Sequence, residues 1–507
     1  MRHGSGRPRF SRAALFATLL VSGAPSPVRA LESEIEATAD AQFYTLRSPY
    51  GEPLIRRRRY TETLLLHVYD LQGDGLPGKP RLALKTRLRL DADFGQESSE
   101  RDPSSTDFIP GLEQAPLDLM YAYLEGRDYF GGHVGFKVGR QYVIDTLGFW
   151  SFDGVEASLH TPAYLLFEAY GGFEQRSGLP LLATDRFSAD GVWRGDRDDL
   201  ETDEYTGYLE SARLAPAYGF AVETADLGFL HSRLSYRKVI NRDRVVVSPF
   251  LQDPGGGLYF VDGARTSSER VAGSLRVDVG EYGSVLGSGV YDFYNQVFSE
   301  ATLGLDAYAT SSLTVGADLE YYLPTFDGDS IWNWFAHRGM TTLRGRASFQ
   351  ATRRLDGALT GGIRRFSSEG SPDTYADTGD TEPSGAEIDP FATLGSRYRW
   401  TDGSVALNAL AELGGRGHRV GADVTTRKLF ENGYYDALVV LSLYDWKDDL
   451  RPTRDATSFM YVVGAGVSPG LEYIGQTRLG VEFDHTLNRL VGQRFRLLGT
   501  LSLALFR

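Results

Sequence analysis

From Arg81 to Phe94 every second residue is apolar or small, while most of those between are charged. A strand sends successive side chains to opposite faces. One face of this segment therefore carries Leu82, Leu84, Thr86, Leu88, Leu90, Ala92 and Phe94, and the other carries Arg81, Lys85, Arg87, Arg89, Asp91 and Asp93 with Ala83. Such a strand divides oil from water. Segments of this kind, about ten to fourteen residues long, recur along the whole chain, as expected of a transmembrane β-barrel.

The candidate strands begin at Glu34, Tyr60, Arg81, Leu117, Gly132, Asp153, Ala163, Asp203, Gly219, Ser268 and Ser284, then at Phe298, Ser312, Thr341, Leu355, Ile388, Gly403, Gly417, Tyr434, Thr457, Leu471 and Arg494. These starts predict an all-β fold, a single transmembrane antiparallel up-and-down barrel over residues 31–507 with about 18–22 strands, 22 by this count. Ala221 to Val239 reads as one long strand or two. Short turn-like connections such as Thr161-Pro162, Ala215 to Tyr218, Thr401-Asp402 and Ser468 to Gly470 alternate with long ones such as Gly95 to Pro116, Gln175 to Thr202 and Ser368 to Glu387. A soluble propeller or solenoid needs a fixed repeat, and none is found. No run reaches the roughly 18 apolar residues of a spanning helix.

Residues 1–30 read as an export signal: Arg2, Arg7, Arg9 and Arg12 precede the apolar stretch Ala13 to Val21, and Val28-Arg29-Ala30 forms a small-x-small cleavage site. The few residues between Ala30 and the first strand leave no room for a plug domain. The chain contains no cysteine, which removes disulfides, thiol catalysis, thiolate zinc sites and a Cys-linked lipid anchor. Its formal charge of -14 argues against nucleic acid as a partner. Outer-membrane lipid, lipopolysaccharide and the barrel-assembly machinery are the expected partners, the last because the final strand ends on Phe506; an oligomer stays open. Aromatics near strand ends, among them Tyr44, Tyr121, Tyr123, Tyr291, Tyr321, Tyr434, Tyr444 and Trp446, suggest interfacial girdles.

Alternation places Arg81, Lys85, Arg87, Arg89, Lys137, Arg213, Arg233, Arg237, Arg270, Arg276, Arg344, Arg346, Arg397, Arg399, Arg419, Arg427, Arg478 and Arg496 on the inner face, against fewer acids. That predicts a net basic lumen favouring anions, unless Arg–Asp pairs across strands neutralise it. Tyr142 to Phe152 is too apolar for a solvated loop. Its Tyr142, Asp145, Phe149, Trp150 and Phe152, with Asp153, are expected to turn into the lumen as a constriction.

The string Val138-Gly139-Arg140-Gln141, followed by Trp150-Ser151-Phe152-Asp153-Gly154-Val155, is similar to the Gly-Arg-Gln and Phe-Asp-Gly-Val pair of porin-like barrels, general porins and alginate exporters included. The resemblance covers about twenty residues beyond the barrel pattern and implies a channel, with the loop after an early strand folded inward. The expected function is passage of small, hydrophilic, mainly anionic solutes. Export of an acidic polysaccharide and a surface adhesin or structural barrel are the alternatives. No Gly-x-Ser-x-Gly or His-Glu-x-x-His accompanies the eight histidines, so no enzyme is expected, and neither a cofactor nor a metal site.

Overall fold

The computed structural model describes residues 32–48, 50, 53–72, 79–93, 118–175, 215–241, 245–252, 258–261, 263–326, 339–367, 387–415, 417–448, 456–469, 476–489 and 492–506. Its strands are β1 (Ser33–Arg47), β2 (Pro53–Val68), β3 (Arg81–Asp93), β4 (Asp118–Asp128), β5 (Val134–Asp145), β6 (Gly148–His160), β7 (Leu165–Glu174) and β8 (Ala215–Thr224). They continue as β9 (Leu230–Asn241), β10 (Val245–Gln252), β11 (Leu258–Val261), β12 (Arg265–Asp278), β13 (Gly283–Asp292), β14 (Val297–Thr310), β15 (Leu313–Tyr322) and β16 (Met340–Gln350). The last are β17 (Leu355–Phe366), β18 (Glu387–Trp400), β19 (Gly403–Gly414), β20 (Gly417–Phe430), β21 (Tyr435–Asp448), β22 (Ala456–Val467), β23 (Gln476–Asn488) and β24 (Gly492–Phe506).

Twenty-two of these form one sheet, and each pairs antiparallel with its neighbour in the chain. The small β10–β11 hairpin stands apart, so β9 pairs directly with β12. β1 pairs with β24 from Glu34 opposite Phe506 to Arg47 opposite Gln493, which closes the sheet into a barrel. Closure gives every strand two partners and removes the exposed edges an open sheet would present.

The register identifies the two faces. Leu84, Leu88 and Leu90 of β3 lie opposite Val68, Leu64 and Glu62 of β2, while Lys85, Arg87 and Arg89 lie opposite His67, Leu65 and Thr63. Apolar side chains sharing the first face stay open in the isolated chain all the way round: Leu343 is 52% exposed, Val463 52% and Val481 55%. A belt of that extent far exceeds the apolar patches water tolerates, so this face meets lipid and the charged face lines the interior. Among the described residues no helix is long and apolar enough to cross a membrane.

β1 begins and β24 ends at the same rim, here the terminal end. The long connections 94–117, 175–214, 242–264, 323–339 and 367–386 all lie at the opposite rim, the loop end. Short links such as 146–147, 293–296 and 415–416 also occur there, so long and short do not strictly alternate.

The expected count of 22 agrees, with one member misplaced. Ala215 to Tyr218 is strand, not turn, and Ala221 to Val239 belongs to two strands, β8 and β9. Pro216 is accommodated because pairing with β9 starts only at Ala217, leaving no partner there for the N–H it lacks. The strand expected from Asp203, together with Arg213, lies outside the described residues. The girdle is also smaller than expected, because Tyr44, Tyr121, Tyr123, Tyr444 and Trp446 sit on the inner face by register.

Candidate functional site: a hairpin folded into the barrel

β5 and β6 pair without interruption from Val134 opposite Leu159 to Asp145 opposite Gly148. Their outer neighbours do not follow them. β4 pairs with β5 only between Gly126–Phe136 and Ala122–Arg140, and β7 pairs with β6 only as far as Phe152 opposite Glu174. Beyond Arg140 and Phe152 the hairpin leaves the wall.

Side-chain contacts show where it goes. Tyr142 lies on the outward side of β5, yet its ring is 5.7 Å from that of Tyr121, which points inward from β4. Trp150 and Phe152 stack at 4.3 Å and pack with Val143, Tyr170 of β7, Ala215 and Ala217 of β8, and Val239 of β9. Leu147 at the tip packs with Ala272 of β12 and Val290 of β13. The hairpin is therefore folded inward over the inner face of β7, β8, β9, β12 and β13.

A row of glycines forms the crease. Gly139 of β5, Gly154 of β6 and Gly172 of β7 face one another in register on the inner side. A Cβ at Gly139 would run into the carbonyl oxygen of Ala122, at Gly154 into that of Gly171, and at Gly172 into that of Asp153. The strands approach at this row closer than any side chain permits, and Gly139 also has a φ of 127°.

Arginines hold the hairpin at both ends. At the root, Arg140 donates from Nε and Nη2 to the two Asp153 carboxylate oxygens, at 2.8 and 2.7 Å, and from Nη1 to the Leu119 carbonyl at 3.1 Å. That carbonyl belongs to the stretch of β4 that β5 has left. Gln175 donates to Asp153 as well, at 2.7 Å, and the fully buried Gln141 donates to the Gly154 carbonyl at 3.1 Å. At the tip, Arg237 donates to the Leu147 carbonyl at 2.9 Å with its guanidinium 5.3 Å from the Trp150 ring centroid, and Trp150 donates to Glu174 at 2.8 Å. Arg140 is buried but Asp153 is 39% exposed, so solvent screens the pair and its loss costs less than that of a fully buried one. Arg140→Ala is accordingly expected to lower the urea midpoint of the folded barrel, and Asp153→Asn, which keeps an acceptor oxygen, to lower it less. Equal midpoints for all three proteins would remove the root pair as a stabilising element.

The six residues expected in an apolar loop thus belong to a regular hairpin. Tyr142 and Phe149 stack at 5.7 Å on the side turned away from the wall, where Phe149 is 68% and Ile144 69% exposed. Trp150 and Phe152 are buried beneath, Asp145 accepts from the Leu147 N–H in the turn, and Asp153 stands at the root. An irregular loop is avoided because a hairpin pairs its own backbone groups, which a segment leaving the sheet must otherwise leave unmet.

The expected basic residues take two kinds of place. Arg81, Lys85, Arg87, Arg89, Lys137, Arg233, Arg276, Arg344, Arg346, Arg397, Arg399, Arg419 and Arg478 are on the inner face by register, as are Arg270, Arg427 and Arg496. Arg237 shares that face but is buried under the hairpin.

Among the described residues a net basic interior is not found. Acids match the bases, and most bases have one in contact: Lys85 and Arg127 share the buried Glu125 at 2.7 Å each, and Lys137 meets Glu156 at 2.7 Å. Arg233 bridges Glu168 and Glu223, while Arg270 meets Asp292 at 3.1 Å. Arg344 bonds Asp318 and Glu320, and Arg346 bonds Asp306 and Asp318 at 3.0 Å each. Asp436 takes Arg427 and Arg478, Asp484 takes Arg494 and Arg496, and Arg399 takes Asp356. Arg419 lies over the Tyr444 ring at 5.6 Å. The alternation that selected the bases also selects Glu34, Glu125, Glu156, Glu168, Asp292, Asp436 and Asp484. The side chains of Asp91 and Asp93 lie outside the described residues.

Near the terminal end, His67 Nδ1 is 3.1 Å from Glu34, His67 Nε2 is 3.2 Å from the Tyr121 hydroxyl, and the Tyr69 hydroxyl donates to Glu34 at 2.9 Å. Burial and then this hydrogen bond push the Tyr69 phenol up to about 12, so it remains a donor at neutral pH.

No family model and no curated protein matches the sequence. Among solved structures the chain is similar to Pseudomonas aeruginosa OpdK crystallised with vanillate, at 9% identity over 94% of this chain and 99% of that one, TM-score 0.39. It is similar also to Acinetobacter baumannii OccAB4, at 8% identity over 95% and 100% with TM-score 0.40, and to P. aeruginosa OccD3 (OpdP), at 10% over 96% and 93% with TM-score 0.40.

Proposed function

We propose that the protein is an exported outer-membrane channel through which small hydrophilic solutes diffuse, with the β5–β6 hairpin narrowing its lumen. The observation that carries this reading is a closed 22-strand barrel with a self-paired hairpin folded against its inner wall. A barrel of this strand number encloses a space far wider than a small solute needs, and an inward hairpin restricts that space without adding a domain. Under this reading residues 1–30 are the export signal, the assembly machinery inserts the barrel, and the loop end faces outward. Tyr142, Ile144 and Phe149 give the narrow part an apolar flank.

Ion pairing confines any anion preference to the places where bases outnumber acids. Among the described residues these include Arg81 and Arg87 of β3, and the two clusters in which one buried Asp holds two arginines, at Asp436 and Asp484. A wall so paired offers no unbroken series of anionic sites, which disfavours polysaccharide export. Planar-bilayer recording is the test: we expect ohmic conductance, insensitivity to polyuronate, and a weak preference for chloride over potassium. Asp436→Asn leaves Arg427 and Arg478 without their carboxylate and should raise that preference roughly twofold, whereas Arg87→Ala should lower it. Cation preference in the parent, or shifts in the same direction for both variants, would sink the charge assignment. Absence of conductance would remove the channel itself.

A further inference from the structure

The outer face bears a groove where the barrel closes. At the loop end, an open depression of about 940 Å³ is bordered by the end of β1 (Thr45, Arg47, Ser48), the start of β22 (Thr457, Phe459), the end of β23 (Leu487 to Arg489) and the start of β24 (Gly492, Gln493, Phe495). That volume is in the range of sites that hold a small ligand. Register puts Phe459, Leu487 and Phe495 on the lipid-facing side, with Thr45 opposite Phe495 and Gln493 opposite both Arg47 and Leu487.

The lining is graded along the barrel axis. Phe459 and Leu487, each 38% exposed, form an apolar floor toward mid-membrane together with Phe495, which stacks on His485 at 4.3 Å. Arg47, Asn488, Arg489 and Gln493 form a polar, twofold basic top at the rim. Gly492, with φ of 76°, lets the start of β24 approach the backbone of Arg47 and Ser48, where any Cβ would collide. The groove is thus built by the seam.

We propose that this groove binds a lipid A-type phosphoglycolipid, its phosphate between Arg47 and Arg489 and one acyl chain along Phe459, Leu487 and Phe495. Planar, permanently charged guanidinium groups suit a phosphate, and the apolar floor lies directly below them, as an acyl chain lies below its headgroup. The inference rests on the loop end facing the outer leaflet.

Barrel refolded without lipid is to be titrated with diphosphoryl lipid A in detergent and followed by native mass spectrometry. The parent should retain one lipid A per chain. Arg47→Glu with Arg489→Glu should weaken retention at least about tenfold, and Leu487→Trp, which fills the floor and keeps both arginines, should weaken it too. Phosphatidylglycerol and inorganic phosphate should not compete at equal concentration. Equal retention by the parent and the double variant, no retention by the parent, or equal binding of phosphatidylglycerol would each overturn the proposal. Conductance of the double variant should equal the parent's, so loss of lipid binding with an intact channel separates this inference from the reading beneath it.

Discussion

Replacing residues 142–151 by an Asn-Gly turn should raise single-channel conductance at least about twofold, because the lumen then has the cross-section of the bare 22-strand wall. The replacement is sterically mild. Gln141 and Phe152 are already opposite one another in register, so a two-residue turn joins them without disturbing the pairing below. Trp150, Leu147 and the exposed Phe149 leave together, and the inner-wall residues they cover, Tyr170, Ala217, Val239, Ala272 and Val290, become open to water. Arg237 loses its acceptor at Leu147 and gains solvation in return. Heat-dependent migration in SDS gels reports whether the barrel has assembled, and planar bilayers report the current. Assembled barrels with parental conductance would refute the hairpin as the narrow point.

Gly154→Ala should be among the most damaging single methyls added to the wall. Its Cβ falls on the Gly171 carbonyl oxygen, backbone that a side-chain rotation cannot move aside. Either the β6–β7 pairing breaks or the crease opens, and both undo the inward fold. The expected result is a drop in assembled yield of about tenfold, with the barrels that do insert conducting like the excision variant. Gly171→Ala is the control, since a Cβ there meets only ordinary contacts at 3.7 and 3.9 Å. Normal yield and normal conductance for Gly154→Ala would remove the crease as the cause of the fold.

Much of the wall is legible in the sequence because the information is local. Leu82 to Leu90 alternates with Lys85 to Arg89 inside one strand, and turns such as Thr401-Asp402 and Arg353-Arg354 lie where the composition marks them. The inward hairpin is legible only by its apolar character, since its direction depends on three glycines that become neighbours once β5, β6 and β7 are in register. Gly139, Gly154 and Gly172 are unremarkable singly. Charge balance fails for the same reason: Arg344 meets Asp318 across 26 positions and Arg478 meets Asp436 across 42. A strand read alone shows which residues share its face, whereas their partners belong to other strands. Tyr121 and Tyr123 look interfacial in the sequence and turn inward because the β3–β4 register, with its irregularity after Arg87, places them opposite Arg87 and Lys85.

The pairing of β1 with β24 sets the timing of folding. All other neighbours in the barrel are close along the chain and can zip hairpin by hairpin, but this row joins Glu34 to Phe506. Bringing ends so far apart together costs about 5 kcal/mol in chain entropy, and the hydrogen bonds that offset it form only when the rest of the wall already holds both strands in place. Contact order of this kind delays commitment. Until the row forms, β1 and β24 are two open edges, free to capture each other or a stranger. Substitutions that slow that single step should therefore show up as lost yield rather than as a weaker finished barrel.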